Sequence, residues 1–80
     1  MQLMLYHFQG CPYCARVRDY LSKEGIQIPM KDIHENPVYG KELLKIGGKS
    51  QVPCLVIDGK ALYESGDIIE WFKKNDTGKK

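Results

Sequence analysis

The stretch QGCPYCARVRDYL, residues 9–21, decides how the rest of the chain is interpreted. Two cysteines enclose a Pro-Tyr pair, and apolar residues then recur at the spacing of one helix face: Cys14, Val17 and Leu21. Pro12 suits the first helical position, where no backbone donor is needed, so we place Cys11 at the start of the helix and Cys14 one turn further on. Such a pair is a redox couple, two ligands of a metal, or two small apolar residues.

The segments around this stretch predict further strands and helices in the order β-α-β-α-β-β-α. They are a strand over 2–8, a helix from 12 to Gly25, a strand over 26–30, a helix from 37 to Gly47-Gly48, a hairpin of 54–57 and 60–63, and a helix over 66–74. Asn36 and Ser65 are predicted to cap the second and third helices. The second helix is predicted to turn four residues toward the core: Val38, Leu43, Leu44 and Ile46.

A helix between the first two strands implies a right-handed crossover, which makes these strands parallel. The turn Asp58-Gly59 makes the last two strands antiparallel, and Pro29 places the second strand at an edge of the sheet. The result is an α/β, thioredoxin-like fold, a four-stranded mixed sheet with three helices (βαβαββα), in a single domain spanning residues 1–80. Residues 75–80 are predicted to form a flexible tail.

Composition excludes several classes of function. The net charge of +2 depends on lysines near the C-terminus, which favours a solvated helix end and tail over a nucleic-acid surface. Neither a signal peptide nor a membrane span is evident, and three cysteines do not suit a disulfide-stapled secreted scaffold. We therefore expect a cytoplasmic protein that contacts neither membrane nor nucleic acid.

The CxxC position favours redox chemistry. A thiolate is the reactive form of cysteine, and the unpaired N–H groups at a helix start would stabilise it on Cys11. Cys11 is therefore the predicted exposed nucleophile, and the more buried Cys14 is predicted to resolve a mixed disulfide. Arg16 and Arg18 add positive potential nearby, but we expect both side chains to point to water.

A metal site lacks ligands. Beyond the CxxC, the remaining candidates are Cys54, His7 and His34, without a second CxxC or a paired-histidine spacing. Cys54 is most simply a packed core residue, and His7 a hydrogen-bonded structural residue. Among the tyrosines Tyr6, Tyr13, Tyr39 and Tyr63, Tyr13 is the one expected to line a binding surface.

CPYC after a strand, a later Val-Pro before a hydrophobic strand and an acid-Ser-Gly-Asp segment before the last helix together resemble a glutaredoxin, over residues 1 to about 74. The resemblance implies a cis Val52-Pro53 bond that leaves the Val52 backbone free to pair with the cysteinyl part of glutathione. The segment 63–67 also resembles the Glu-Ser turn of glutathione transferases. It implies a γ-glutamyl site at Glu64, Ser65, Gly66 and Asp67.

Two residues depart from the family pattern. Phe8 stands where many glutaredoxins have lysine, and Gln51 stands where threonine is common. Either Lys49 or Gln51 is then expected to contact a carboxylate of glutathione.

The resemblance implies a monomeric, glutathione-dependent thiol-disulfide oxidoreductase acting on glutathionylated or disulfide-containing proteins, with glutathione as co-substrate and no tightly bound cofactor. Three alternatives stay open. One is a carrier of a glutathione-ligated [2Fe-2S] cluster, which Pro12 disfavours because such carriers usually have a small residue there. The others are a thioredoxin-like donor served by a reductase, and a glutathione-binding module with little turnover.

Overall fold

The strands and helices follow one another in the predicted order in a computed structural model that describes residues 2–75. The elements are β1 (Leu3–His7), α1 (Pro12–Lys23), β2 (Met30–Asp32), α2 (Pro37–Gly47), β3 (Cys54–Ile57), β4 (Lys60–Tyr63) and α3 (Ser65–Asn75). Of the predicted tail, Asn75 still belongs to α3, and residues 76–80 lie outside the described part. Between residues 2 and 75, no helix has both the length and the apolar character needed to cross a bilayer.

The sheet is mixed, as predicted, with strand order β2-β1-β3-β4. β1 pairs with β2 in parallel and with β3 in antiparallel orientation, and β3 and β4 form the antiparallel hairpin. In the β1–β3 register Tyr6 lies opposite Cys54, so the end of β1 is adjacent to the start of β3. The two segments that continue from these ends, one leading to Cys11 and one containing Pro53, therefore meet at one edge.

Side chains pack on both faces of the sheet. On one face α1 and α3 bury a cluster that consists of Leu5, Val17, Leu21, Ile26, Leu55, Ile68 and Phe72. On the other face a smaller buried cluster consists of Tyr6, Leu43, Cys54 and Val56. The CxxC helix thus rests on the larger of the two cores, which fixes its position relative to the sheet.

The β3–β4 hairpin has the predicted tight turn. Asp58 and Gly59 both have positive φ, 49° and 86°, as a two-residue hairpin turn requires. Asp58 also bonds to the chain ahead of β1, because its N–H donates to the Gln2 carbonyl at 2.9 Å and its carboxylate accepts from the Gln2 N–H at 2.7 Å.

The predicted position of the second strand was wrong. β2 comprises Met30–Asp32 and not residues 26–30, although it does lie at a sheet edge. Ile26 instead follows the C-terminal end of α1. Its N–H donates to the Leu21 carbonyl at 2.9 Å, and its side chain is buried in the core. Pro29 precedes the strand and offers only its carbonyl, which accepts from the Leu5 N–H at 3.0 Å.

The predicted inward face of α2 was also wrong for three of its four residues. Leu43 is fully buried, whereas Val38 and Leu44 are 52% exposed and Ile46 is 39% exposed. The reason is the close approach of α2 to β4 at Gly47, where an added Cβ would overlap the Tyr63 hydroxyl and lie 2.9 Å from the Ala61 Cβ. Only a narrow stripe of the helix therefore touches the sheet.

Candidate functional site

Cys11 is the N-cap of α1, as predicted. Its φ and ψ of −88° and 118° are those of extended backbone, and its Sγ accepts a hydrogen bond from the Cys14 N–H at 3.4 Å. The predicted exposure of Cys11 was wrong, because only 7% of the residue is accessible. The sulfur turns inward over the first helical turn, where it meets one of the N–H groups that the helix leaves unpaired.

Cys14 lies below Cys11 and is fully buried. Burial raises the pKa of the Cys14 thiol to about 12, partly opposed by a backbone hydrogen bond from Phe8 and by the charge of Arg18. Cys14 is therefore a neutral thiol at neutral pH. Both cysteines are buried, Cys14 completely and Cys11 to all but 7%, and the division into an attacking and a resolving cysteine stays a prediction.

A groove of about 600 Å³ begins beside the CxxC. Its lining includes the predicted binding residues Tyr13, Gln51, Val52, Pro53, Glu64, Ser65, Gly66 and Asp67. The structure thus brings three distant segments together, although their role in binding stays a prediction. A volume of this size suits a small-molecule ligand.

Two backbone features shape this groove. The Val52-Pro53 peptide bond is cis, as the family resemblance implied. Glu64 has a φ of 75°, and this left-handed residue turns the chain from β4 so that α3 begins at Ser65 itself. Ser65 is therefore not the N-cap that we predicted, but it is buried within the first turn of α3, where backbone N–H groups lack partners within the helix.

Gln51 and Lys49, the two predicted carboxylate contacts, lie in different surroundings. Gln51 lines the groove, and its side-chain amide donates to the Glu64 carboxylate at 3.4 Å. Lys49 does not line it, because its ammonium lies over the Tyr63 ring, 4.7 Å from the ring centre. Gln51 is thus the better placed of the two.

Arg16 also lines the groove, and sequence reasoning missed it. The sequence predicts that the Arg16 side chain points to water, whereas the structure places the residue in the lining of the groove. The signal that could have identified it is its spacing from Tyr13, because residues three apart lie on the same face of a helix.

His7 has the structural role that we predicted. It is 6% exposed, and its Nδ1 lies 3.2 Å from the guanidinium of Arg18. Burial and the charge of Arg18 lower the pKa of His7, with Asp32 and Glu35 opposing. His7 is therefore a neutral acceptor at neutral pH. Arg18 itself points inward, contrary to our expectation.

The remaining metal-ligand candidates do not converge. Within residues 2–75, no group of three or more His, Cys, Asp or Glu side chains is placed to hold a metal ion. His34 stacks on Phe8 with ring centres 4.1 Å apart. Cys54 is fully buried in the smaller core, as predicted, and burial raises its pKa to about 11.

Comparison with known proteins shows which proteins this chain resembles. The family model of the glutathione S-transferase N-terminal domain matches residues 5–80. Glutaredoxin 3 of Escherichia coli is 30% identical over 64 residues, which cover 80% of this chain and 77% of that protein. The crystal structure of glutathione transferase Omega 3C from Trametes versicolor has a TM-score of 0.82 and 32% identity, covering all of this chain and 36% of that one.

The relatives differ greatly in length. Prostaglandin E synthase 2 of Danio rerio is 29% identical over 69 residues, and these are 86% of this chain but only 18% of that protein. The chain thus spans most of a glutaredoxin, but only a minor part of the synthase and of the transferase.

Proposed function

Since the chain belongs to the glutaredoxin family and matches the glutathione S-transferase N-terminal domain, we propose that it is a glutathione-dependent thiol-disulfide oxidoreductase. Its substrates are protein–glutathione mixed disulfides and protein disulfides, and glutathione is the source of electrons. The observation that carries the proposal is the junction of a CxxC at a helix N-terminus with a groove that has the size and polarity for glutathione.

The first step is attack on the mixed disulfide by Cys11. Its thiolate forms a bond to the glutathione sulfur, the disulfide bond between that sulfur and the cysteine sulfur of the substrate protein breaks, and the protein thiolate leaves and takes up a proton. The Cys11 sulfur that attacks is the one that accepts the Cys14 N–H at 3.4 Å.

The second step releases glutathione from Cys11. A second glutathione thiolate attacks the glutathione sulfur of the mixed disulfide, which yields glutathione disulfide and restores the Cys11 thiolate. When the substrate is a protein disulfide, Cys14 attacks Cys11 instead and forms the Cys11–Cys14 disulfide, which two glutathione molecules then reduce. Cys14 is needed only on this second route.

The groove suits the charges of glutathione. The backbone N–H and C=O of Val52 have no partner within residues 2–75, so they can pair with the cysteinyl peptide as a strand would. The N-terminus of α3 suits the γ-glutamyl carboxylate, and Glu64 and Asp67 suit its ammonium group. The side chains of Arg16 and Gln51, which also line the groove, are donors for the glycine carboxylate of glutathione.

Three cysteine variants test the mechanism with a glutathionylated peptide, glutathione and glutathione reductase. Cys11→Ser should be inactive, because no other residue in the site can replace the attacking thiolate. Cys14→Ser should keep deglutathionylation but lose reduction of a protein disulfide. Cys54→Ala, which removes a thiol outside the groove, is the matched control and should retain both activities. If Cys11→Ser and Cys14→Ser lost deglutathionylation activity to the same extent, the mechanism would be contradicted.

A second candidate function follows from the match to the Omega transferase structure. On this alternative the chain is the glutathione-binding part of a transferase-like protein, and the groove binds glutathione for conjugation. Conjugation of glutathione to chlorodinitrobenzene separates the two functions. Conjugation well above the background rate, without deglutathionylation, would favour the transferase alternative.

A further inference from the structure

The Phe8 peptide connects the two cysteines of the CxxC. Its carbonyl accepts the Cys11 N–H at 3.3 Å, and its backbone also makes a hydrogen bond to Cys14. The distance between the two sulfurs, and the direction from which one can reach the other, therefore depend on where this peptide lies.

The side chain of Arg18, which projects from α1, contacts the Phe8 backbone. One guanidinium nitrogen lies 3.3 Å from the Phe8 carbonyl oxygen and 3.2 Å from the Nδ1 of His7. Arg18 follows Cys14 by four residues, so both side chains lie on the same face of α1. The guanidinium thus links His7, at the end of β1, and Phe8 to α1, the helix that begins at the cysteines.

We propose that Arg18 is a positioning residue for the resolving step, in which it holds the Phe8 peptide against both cysteines so that Cys14 can reach a mixed disulfide on Cys11. This inference rests on the proposed function, because the resolving step belongs to that reaction. Arg18 does not touch the substrate. It acts through the Phe8 peptide and through its charge.

The step that Arg18 assists is an intramolecular exchange. The Cys14 sulfur loses its proton and bonds to the Cys11 sulfur, while the bond between Cys11 and the departing thiol breaks. The departing thiolate takes up one proton, so the products are the Cys11–Cys14 disulfide and a free thiol. In this step the Cys14 sulfur is oxidised and the departing sulfur is reduced, while the Cys11 sulfur stays at the disulfide level, so no further oxidant is required.

The Cys14 thiol needs assistance because it is buried. A thiol with a pKa of about 12 is ionised in only about one molecule in 100,000 at pH 7. The Arg18 charge favours the thiolate, and so does the hydrogen bond from the Phe8 backbone. Loss of Arg18 removes its charge, and it also weakens the Phe8 hydrogen bond because the Phe8 backbone is no longer held in place.

An arginine suits this position better than a lysine. One guanidinium nitrogen lies within hydrogen-bond distance of both the Phe8 carbonyl oxygen and the His7 Nδ1, and the rigid guanidinium plane fixes the directions of its two N–H groups. An ammonium group keeps the charge but is a compact point donor. Arg18→Lys should therefore restore part of the function lost in Arg18→Met.

The experiment uses an aromatic disulfide, dithiobis(nitrobenzoate), whose reduction releases a coloured thiolate. Attack by Cys11 gives the first release, and attack by Cys14 on the resulting mixed disulfide gives the second. Stopped-flow absorbance separates the two phases, and the product mass identifies the Cys11–Cys14 disulfide. The assay contains no glutathione, so it reports the resolving step independently of glutathione binding.

We expect Arg18→Met to leave the first phase unchanged and to slow the second between about threefold and about tenfold. Loss of the Arg18 charge lowers the thiolate fraction of Cys14, and the greater nucleophilicity of a more basic thiolate regains part of that loss. Lys23→Met removes an exposed charge from the end of the same helix and should behave as the wild type. Arg18→Lys should be at least about twofold slower than wild type in the second phase.

Each outcome decides the matter. An unchanged second phase in Arg18→Met, or equal slowing of both phases, would overturn the inference. If Arg18→Met does not fold, Arg18→Lys decides in its place, and a wild-type second phase in that variant would overturn the inference. A selective effect of Arg18 without any turnover of glutathionylated substrate would instead refute the proposed function and leave the positioning role intact.

Discussion

Gly47 is the residue at which α2 comes closest to the sheet. A Cβ added there would overlap the Tyr63 hydroxyl and lie 2.9 Å from the Ala61 Cβ, and Ala61 belongs to β4. Because these neighbours are part of the packed sheet, we expect Gly47→Ala to lower the free energy of unfolding by about 1–3 kcal/mol. Urea denaturation followed by circular dichroism measures this change.

Gly40 is the matched control for this prediction, since it lies in the same helix with nothing within 4 Å of its Cβ position. Gly40→Ala should raise the free energy of unfolding by about 0.5–1 kcal/mol, because alanine is the better helix former. Stabilisation by both substitutions would show that α2 does not approach β4 as closely as described.

At the residue scale, the sequence predicted which residues would meet at the groove but not how each one is turned. Val52 and Ser65 were assigned by family resemblance, and both line the groove. Cys11 was expected to be exposed, and Arg18 was expected to face water. Both errors have one cause, because a short loop packed on the helix start turns polar and reactive groups inward, and helical periodicity carries no information on such loops.

At the element scale, the β3–β4 hairpin was predicted with its correct bounds because Asp58-Gly59 is a strong local signal. β2 was misplaced because the pattern of residues 26–30 is also that of a connection with its apolar side chains in the core. Ile26 is buried without belonging to a strand. Alternation alone cannot distinguish these two cases.

The two adjacent leucines of α2 give a test at the element scale. Leu43 is fully buried against the sheet, whereas Leu44 is 52% exposed. We expect Leu43→Ala to lower the free energy of unfolding by about 2–5 kcal/mol through loss of burial and creation of a cavity. Leu44→Ala should change it by no more than about 0.5 kcal/mol, as is usual for a surface position.

Denaturant titration of the two variants measures both values. If both variants lowered the free energy of unfolding by similar amounts, Leu44 would also have to be buried. The described orientation of α2 would then be wrong.

At the scale of the whole molecule, two cores share one sheet. Trp71 packs against the larger cluster and makes an edge contact with Phe72, with ring centres 5.1 Å apart. Since β1 and β3 contribute residues to both clusters, neither core can be lost alone, and unfolding should be a single cooperative transition. Trp71 fluorescence and far-ultraviolet circular dichroism should then give the same urea midpoint.

Separate midpoints would contradict this expectation, with the fluorescence change reporting the α1–α3 side. Leu43→Ala offers a further comparison, because it weakens the smaller core alone and should still shift both signals together.

The pairing of β1 with β3 has a consequence for the order of events during synthesis. The register joins Leu3 to Ile57, so the central ladder cannot form until Ile57 has left the ribosome. Cys11 and Cys14 emerge early, whereas Pro53 and Ser65 follow much later. The nascent chain therefore carries a thiol pair before it has a groove, and the groove is complete only when the last helix folds.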